Sequence, residues 1–237
     1  MQITKEIQMV DVGLYIPQQS CLILADPHLG YDEALNSKGV LVPRTHFKQI
    51  TSRLEKLLAQ LPHLKKIIIN GDLKHEFGTI LPTEWRNTRR FVEFLKNYAD
   101  EVVIIKGNHD VILGPLARKW DLTVKDYEIM GSVLVVHGDV IPRKEWLKGI
   151  KIVIIGHEHP ALAVHDALRV EKYKCFLKGA WQRRTLIVQP SLNPLLEGTD
   201  VLSEKRLSPF LKGNLKEFEA FVVADTVYYF GKLKSLL

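Results

Sequence analysis

The stretch Val102-Val103-Ile104-Ile105-Lys106-Gly107-Asn108-His109-Asp110 holds four β-branched residues in a row, then a turn, then three side chains that carry chemistry. A short run of Val, Ile and Leu reads as a strand buried on both faces. Four other stretches have the same build: LILAD (22–26, continuing as Pro27-His28), IIINGD (67–72), VLVVHGD (133–139) and IVIIGHEH (152–159). Open sheets present their chemistry just beyond the carboxyl ends of such strands. Five strand ends therefore deliver five His, four Asp and one Asn toward a single locus. That is the raw material of a metal site.

Between the runs lie helical periods. Phe47, Ile50, Leu54, Leu57, Leu58 and Leu61 recur every 3.6 residues and predict a helix over Arg44–Leu61, with Thr45 as its cap and Pro62 as its stop. Trp85, Phe91, Leu95 and Tyr98 predict a second helix over Thr83–Ala99, capped by Thr83. With strands at Cys21–Ala25, Lys66–Asn70 and Glu101–Lys106, the first half reads β-α-β-α-β, which implies parallel neighbours joined by crossovers. The residues before Cys21 read as one or two edge strands. After residue 120 helical periods vanish. Strands are expected at Leu122–Lys125, Glu128–Met130, Val133–Val136, Ile152–Ile155, Arg169–Leu177 and Thr185–Val188, with a closing hairpin of Phe218–Ala224 and Val227–Phe230. Residues 191–217 read as irregular and exposed. The fold class expected is α/β: two packed mixed β-sheets flanked by helices.

The 237 residues are 46% hydrophobic, enough for one domain spanning 1–237 with a substantial core. No linker, repeat or low-complexity tract interrupts them. No apolar run reaches the roughly 18–20 residues of a membrane span, and MQITKEIQMV lacks the apolar stretch of a signal peptide. Cys21 and Cys175 are too few for a disulfide framework, so a cytoplasmic address is expected. The net charge of +6 favours phosphate-bearing partners.

Asp-x-His at Asp26 and His28 puts a carboxylate and an imidazole on adjacent loop turns, and His157-Glu158-His159 does the same with two imidazoles. Mixed imidazole and carboxylate donors suit Mn, Fe, Zn, Co or Ni. The donors exceed what a single tetrahedral ion needs, whereas two ions about 3.5–4 Å apart sharing a carboxylate would use them. With Asp26, His28, Asp72, Asn108, His137, His157 and His159 as ligands, two divalent ions against two carboxylates and a hydroxide leave the site about +1. Such a centre attracts phosphate and generates a nucleophile near neutral pH.

The ordered set D-x-H, GD, GNHD, H, GHxH resembles that of the calcineurin-like metallophosphoesterases, and it spans residues 26–159, more than half of the chain. LADPHLG, Pro43-Arg44, GDLKH, GHEHP, Cys175-Phe176 and Gln189-Pro190-Ser191 are similar to small stand-alone phosphoesterases found beside bacterial DNA ligase genes, and to an archaeal group of predicted phosphoesterases. The resemblance implies a four-layer α-β-β-α sandwich. It implies one metal on Asp26, His28, Asp72 and His159, and a second on Asp72, Asn108, His137 and His157, with Asp72 bridging and Mn the first choice. It also implies a phosphodiesterase whose nucleophile is a metal-bridging hydroxide. His109 then faces the leaving-group oxygen, as general acid or to steady the transition state, and Asp110 orients its ring.

Other polar residues get plainer readings. His75 is expected to be structural and Lys74 to point to solvent. His46 and His63 are expected on the surface, and His165 is expected to be structural. Lys172, Lys174, Lys178, Arg183 and Arg184, interleaved with Tyr173, Phe176 and Trp181, read first as a solvated strand face, with a nucleic-acid platform as the sharper alternative. Arg89 and Arg90 read as ordinary helix surface. Besides phosphodiester hydrolysis, two functions remain open at this point. One is a nuclease acting on DNA or RNA with a repair partner. The other is a non-catalytic scaffold, which the intact ligand set and His109 disfavour. Neither the oligomeric state nor the physiological substrate is legible.

Overall fold

The structure, a computed structural model, describes residues 1–75, 82–111, 113, 117, 120, 122–166 and 169–237, with the side chains of 82–84 and 165–166 left aside. Its elements in chain order are β1 (Gln8–Val10), β2 (Gly13–Ile16), β3 (Cys21–Ala25), α1 (Tyr31–Ser37), α2 (His46–Leu58), β4 (Leu64–Asn70), α3 (Pro82–Lys96), β5 (Ala99–Ile105), β6 (Thr123–Lys125), β7 (Glu128–Met130), β8 (Val133–Val135), β9 (Ile152–Ile155), β10 (Pro160–Asp166), β11 (Arg169–Trp181), β12 (Arg184–Val188), β13 (Thr199–Asp200), β14 (Glu219–Val223) and β15 (Val227–Lys232). The first sheet runs β1-β2-β3-β4-β5-β6. Its β3, β4, β5 and β6 are mutually parallel, and the β1-β2-β3 meander is antiparallel. The second sheet runs β13-β10-β11-β12-β9-β8-β7, with β14 and β15 attached through β11. Both sheets are mixed, as the sequence leads one to expect.

Period-2 alternation sorts the second sheet's side chains into two cores. Val133, Val135, Ile152, Ile154, Phe176 and Ile187 point into the core shared with the first sheet and with α2 and α3. Their neighbours Leu134, Val136, Val153, Ile155, Leu177 and Leu186 point outward into a second core. Each buried aliphatic side chain contributes about 1.5–3 kcal/mol over exposure. A one-residue slip would exchange the two sets, so the register is strongly held. The outward core is closed by Leu147, Phe210, Leu211 and Leu233. These sit on short 3-10 turns, so among the described residues no α-helix forms that outer layer.

The helices differ from their expected bounds in ways that make physical sense. α2 ends at Leu58, before Pro62, and its N-cap Thr45 makes no side-chain cap bond. α3 starts at Pro82, which puts Thr83 inside the helix, with its side chain outside the described residues. α1 has no apolar period and was not expected. It begins where Tyr31 N donates to the His28 carbonyl (3.1 Å), carrying Asp32 and Glu33 in its first turn. Strands β10 and β13 were likewise missed. Residues 191–217 are only partly exposed, where exposure was expected throughout. Ser191, Leu192, Asn193, Val201, Ser208, Phe210 and Leu211 are buried, held by side-chain bonds to backbone that no hydrophobic period reveals. At the end of the sheets remote from the site, Lys66 on β4 bonds Glu128 on β7 (2.5 Å) and faces Glu101 (3.2 Å), an ionic tie between the sheets.

Candidate metal centre

The carboxyl ends of β3, β4, β5, β8 and β9 converge, and the turns after them hold one another directly. His28 N donates to the Asp72 carbonyl (2.9 Å), and Leu29 N to that of Leu73 (2.9 Å). His109 N donates to Asp72 Oδ1 (2.9 Å) and His157 N to Asp26 Oδ2 (2.9 Å). Each aspartate thus has one oxygen fixed by the backbone of another loop. The positioning is strained: Asp26, His28, Asp72, His157 and His159 all adopt positive φ, between 41° and 62°. Non-glycine residues accept that conformation where surrounding structure forces it, and such strain gathers at functional sites.

The glycines of the motifs make room for these side chains. A Cβ on Gly71, whose φ is +83°, would lie 1.9 Å from His137 Nδ1. A Cβ on Gly107 would lie 2.2 Å from Asp72 Oδ1. Backbone and donor groups are packed too closely for any larger residue.

Three clusters have donor atoms mutually within 4.8 Å: Asp26 with His28 and His159, Asp72 with His137 and His157, and His28 with His75 and His109. The first two are bridged. His137 Nδ1 lies 3.4 Å from Asp26 Oδ1, and its Nε2 lies 3.4 Å from Asp72 Oδ2. His28 Nε2 stands 3.7 Å from Asp72 Oδ2 and 3.4 Å from His159 Nε2. Asn108 Oδ1 meets His137 Nε2 at 2.9 Å, and His157 Nδ1 lies 3.1 Å from the same atom. All seven residues named from the sequence are therefore brought to one pocket.

The electrostatics fit a cation. Asp26 and Asp72 are buried, and among the described residues Asp26 Oδ1 and His137 Nδ1 have no hydrogen-bond partner. A buried carboxylate oxygen without a donor is costly unless a positive charge meets it. Burial lowers the pKa of His137, but the Asp72 hydrogen bond and the charges of Asp26 and Asp72 outweigh it and bring the imidazole up to about 9. Asp72 is held below its ordinary value by His137, His28 and His109 despite its burial. The His137 proton compensates the carboxylates, a role divalent ions would take over on binding, with proton release. Burial, then neighbouring imidazoles, lower His28 and His157, which keeps those rings neutral as metal ligands must be. Asp26, His28, Asp72, Asn108, His137, His157 and His159 thus offer a donor set suited to borderline divalent ions.

His109 Nε2 lies 3.9 Å from Asp72 Oδ2. Its Nδ1 bonds the carbonyl of His75. The orienting partner expected in Asp110 is thus a backbone oxygen. The Asp110 carboxylate instead accepts from the amides of Gly107 (3.0 Å), Leu73 (3.2 Å) and Lys74 (3.4 Å), tying the β4 and β5 loops together. Burial, then the Asp72 charge, push that carboxyl up to about 7.

His75 belongs to the site rather than to the scaffold alone. It stacks on His109 with centroids 5.4 Å apart, and its Nδ1 is 3.5 Å from His28 Nδ1. Lys74 is buried, not solvated. His46 is buried as well, 3.9 Å from Asp32, while His63 is exposed beside Asp100 as expected. The side chain of His165 lies outside the described residues. In the basic stretch, Lys172 and Lys178 pair with Glu204 and Glu219, Trp181 packs on Phe210, and Lys174 donates to the Ser191 and Asn193 carbonyls.

Sequence reasoning missed the supports from the chain's last third. Ser191 Oγ donates to the Asp26 carbonyl (2.7 Å), and Leu192 N to that of Ala25 (2.7 Å). Glu158, between two ligand candidates, accepts from the amides of Leu207 (2.9 Å) and Ser208 (2.7 Å). The Gln189-Pro190-Ser191 motif was the signal for the first of these.

The sequence profile of the calcineurin-like phosphoesterases matches residues 20–180. The chain belongs to this family. Among solved structures, the nuclease MPE of Pseudomonas putida is similar with a TM-score of 0.66 at 19% identity, over 93% of this chain and 92% of that one. That likeness speaks for a shared fold. Weaker likenesses are to the Escherichia coli phosphoesterase Yfce (TM-score 0.40, 15% identity, 84% and 86% covered) and to Vacuolar Protein Sorting 29 of Cryptosporidium parvum (0.38, 14%, 90% and 97%). A search of curated proteins finds no match. Among the described residues no helix is long and apolar enough to cross a membrane.

Proposed function

We propose that the chain is a dinuclear-metal phosphodiesterase. The observation that carries this reading is the pair of bridged clusters, Asp26/His28/His159 and Asp72/His137/His157, sharing one pocket in which Asp26 Oδ1 has no hydrogen-bond partner among the described residues. Asp26, His28, Asp72 and His159 would hold one ion and Asp72, Asn108, His137 and His157 the other, with Mn preferred. Such ions supply a nucleophile from water near neutral pH and neutralise phosphate charge.

The protein's own part is to position and to move protons. Asp72, fixed by the His109 amide, holds the two halves of the site at one spacing. His109, its Nδ1 held by the His75 carbonyl, turns Nε2 into the pocket, 3.9 Å from Asp72 Oδ2, and as an imidazolium would give a proton to the leaving alkoxide. His75 stacked on that ring limits its rotation. A diester is favoured over a monoester because clefts flank the pocket on two sides. One of about 300 Å³ reaches Asn108 and His137, and one of about 440 Å³ reaches His159. A diester has a substituent for each. A nucleic acid is the second reading, supported by the net charge of +6 and by the fold shared with a nuclease.

The test is a substrate panel with Mn-loaded protein: bis-p-nitrophenyl phosphate, p-nitrophenyl phosphate, cyclic nucleotides and oligonucleotides. Turnover of the diester above the monoester is expected. Inertness toward every phosphate ester, with metal bound, would contradict the proposal.

A further inference from the structure

Resting on that reading, we propose that a cleft between α1, α2 and α3 anchors the phosphate backbone of a single nucleic-acid strand whose scissile bond lies at the metal centre. The cleft has a volume of about 460 Å³ and is lined by Arg44, Lys48, Arg86 and Arg90 together with Phe47, Asp32 and Glu33.

Arg44, Lys48, Arg86 and Arg90 are exposed and make no ion pair among the described residues, whereas Arg89, their neighbour on α3, is paired with Glu93 at 2.7 Å. Four cations against two acids leave this concave surface net positive, and such a surface focuses the field on an anion. Of the two acids in the lining, Asp32 is buried, accepts from the Glu33 amide (3.0 Å) and faces His46, and Glu33 is half-buried. The first turn of α2, which supplies Phe47 and Lys48, carries no acid. The Arg90 guanidinium lies 5.0 Å from the centroid of the Phe47 ring, a cation over a flat apolar surface of the kind that receives a base or sugar.

Continuity with the metal centre sets the occupant. α1 starts three residues after His28, and its first residue, Tyr31, packs on the His75 ring (4.7 Å) and lines the cleft beside His159. The next two residues, Asp32 and Glu33, line the basic cleft. The first turn of α1 thus lines both the basic cleft and the cleft beside His159. A strand is the phosphate ligand that reaches both, because its phosphates repeat along one chain.

The experiment measures binding of a fluorescent phosphorothioate oligothymidylate to the Mn-loaded full chain across a salt series. Each phosphate contact on a single strand adds about 0.7 to the slope of log K against log salt. Arg86→Gln/Arg90→Gln and Arg44→Gln/Lys48→Gln should each lower the slope by about 1.4 and weaken binding about 10- to 30-fold at moderate salt. All four residues are exposed, and melting curves verify the fold of each pair. A slope unmoved in either pair overturns the proposal. So does displacement of the oligonucleotide by inorganic tripolyphosphate at equal phosphate concentration, which marks a general anion site. Hydrolysis of bis-p-nitrophenyl phosphate by the unaltered protein separates the two claims. If it fails, the phosphodiesterase reading falls; if it succeeds while the variants bind like wild type, only the strand-anchoring cleft falls.

Discussion

Gly71→Ala isolates what the GD motif's glycine does. Two costs combine at this position. Alanine at a φ of +83° pays about 1–2 kcal/mol for left-handed backbone. Its methyl would also sit 1.9 Å from His137 Nδ1, 2.5 Å from Cγ and 2.7 Å from Cε1. Restoring ordinary contact moves that ring by about 1.5 Å, in a pocket where Asn108, His157, Asp26 and Asp72 all lie within 3.4 Å of it. Overpacking of this kind costs about 1–3 kcal/mol more, so the total is about 2–5 kcal/mol. Displacing a site group by about 1 Å typically costs about 10²-fold in rate, and loss of the ion held by His137 is expected with it. Gly39 supplies the control. Its φ is +84°, and a Cβ there meets nothing within 4 Å. Gly39→Ala should therefore pay the backbone cost alone, about 1–2 kcal/mol, with full metal content and turnover. Denaturant unfolding, metal analysis by mass spectrometry and diester turnover on the two variants give the comparison. Equal stability losses in both, with Gly71→Ala keeping its metal and its rate, would refute the packing argument.

His109→Ala should reduce diester turnover by about 10²–10⁴-fold while metal content stays at the wild-type level, and metal loss on this substitution would show that the residue is a ligand. Ser191→Ala leaves the buried Asp26 carbonyl without its 2.7 Å donor. It should cost about 1–3 kcal/mol in unfolding free energy and weaken metal binding at Asp26, read by titration calorimetry. His46 is held below its ordinary value of 6.5 by burial, which outweighs the opposing charge of Asp32. Its folded pKa is the lower one, so the unfolded chain takes up the proton first. Its contribution is full above about 6.5 and is lost as pH falls below that. The stability of metal-free His46→Gln should therefore fall less steeply than that of wild type between about pH 6.5 and 5, and parallel curves would count against a buried neutral His46.

The strands that deliver the site were legible because nothing competes with their signal. Runs such as Ile67-Ile68-Ile69 are too apolar to be loops and too short to be helices, and β3, β4, β5 and β9 fall within two residues of their expected bounds. The seven donors were legible for the same reason, since each follows such a run. The failures share a different cause. His46 and Lys74 are buried because of what lies across from them, which a period along one segment cannot report. Asp110 pairs with amides of a loop nearly 40 residues earlier in the chain, a partner invisible to local spacing. Residues 191–217 hold their place through Ser191 and Ser208 side chains bonded to the Asp26 and Gly138 carbonyls, so composition alone made them look like surface. Arg90 is exposed on α3 as expected, and the packing of α3 against α2 sets it over Phe47.

Whether two cations share this pocket across Asp72, as proposed, is decided by anomalous diffraction from Mn-soaked crystals. Two peaks about 3.5–4 Å apart are expected, one ringed by Asp26, His28, Asp72 and His159 and the other by Asp72, Asn108, His137 and His157. A single peak, or density at the His28, His75 and His109 cluster instead, would contradict the proposal.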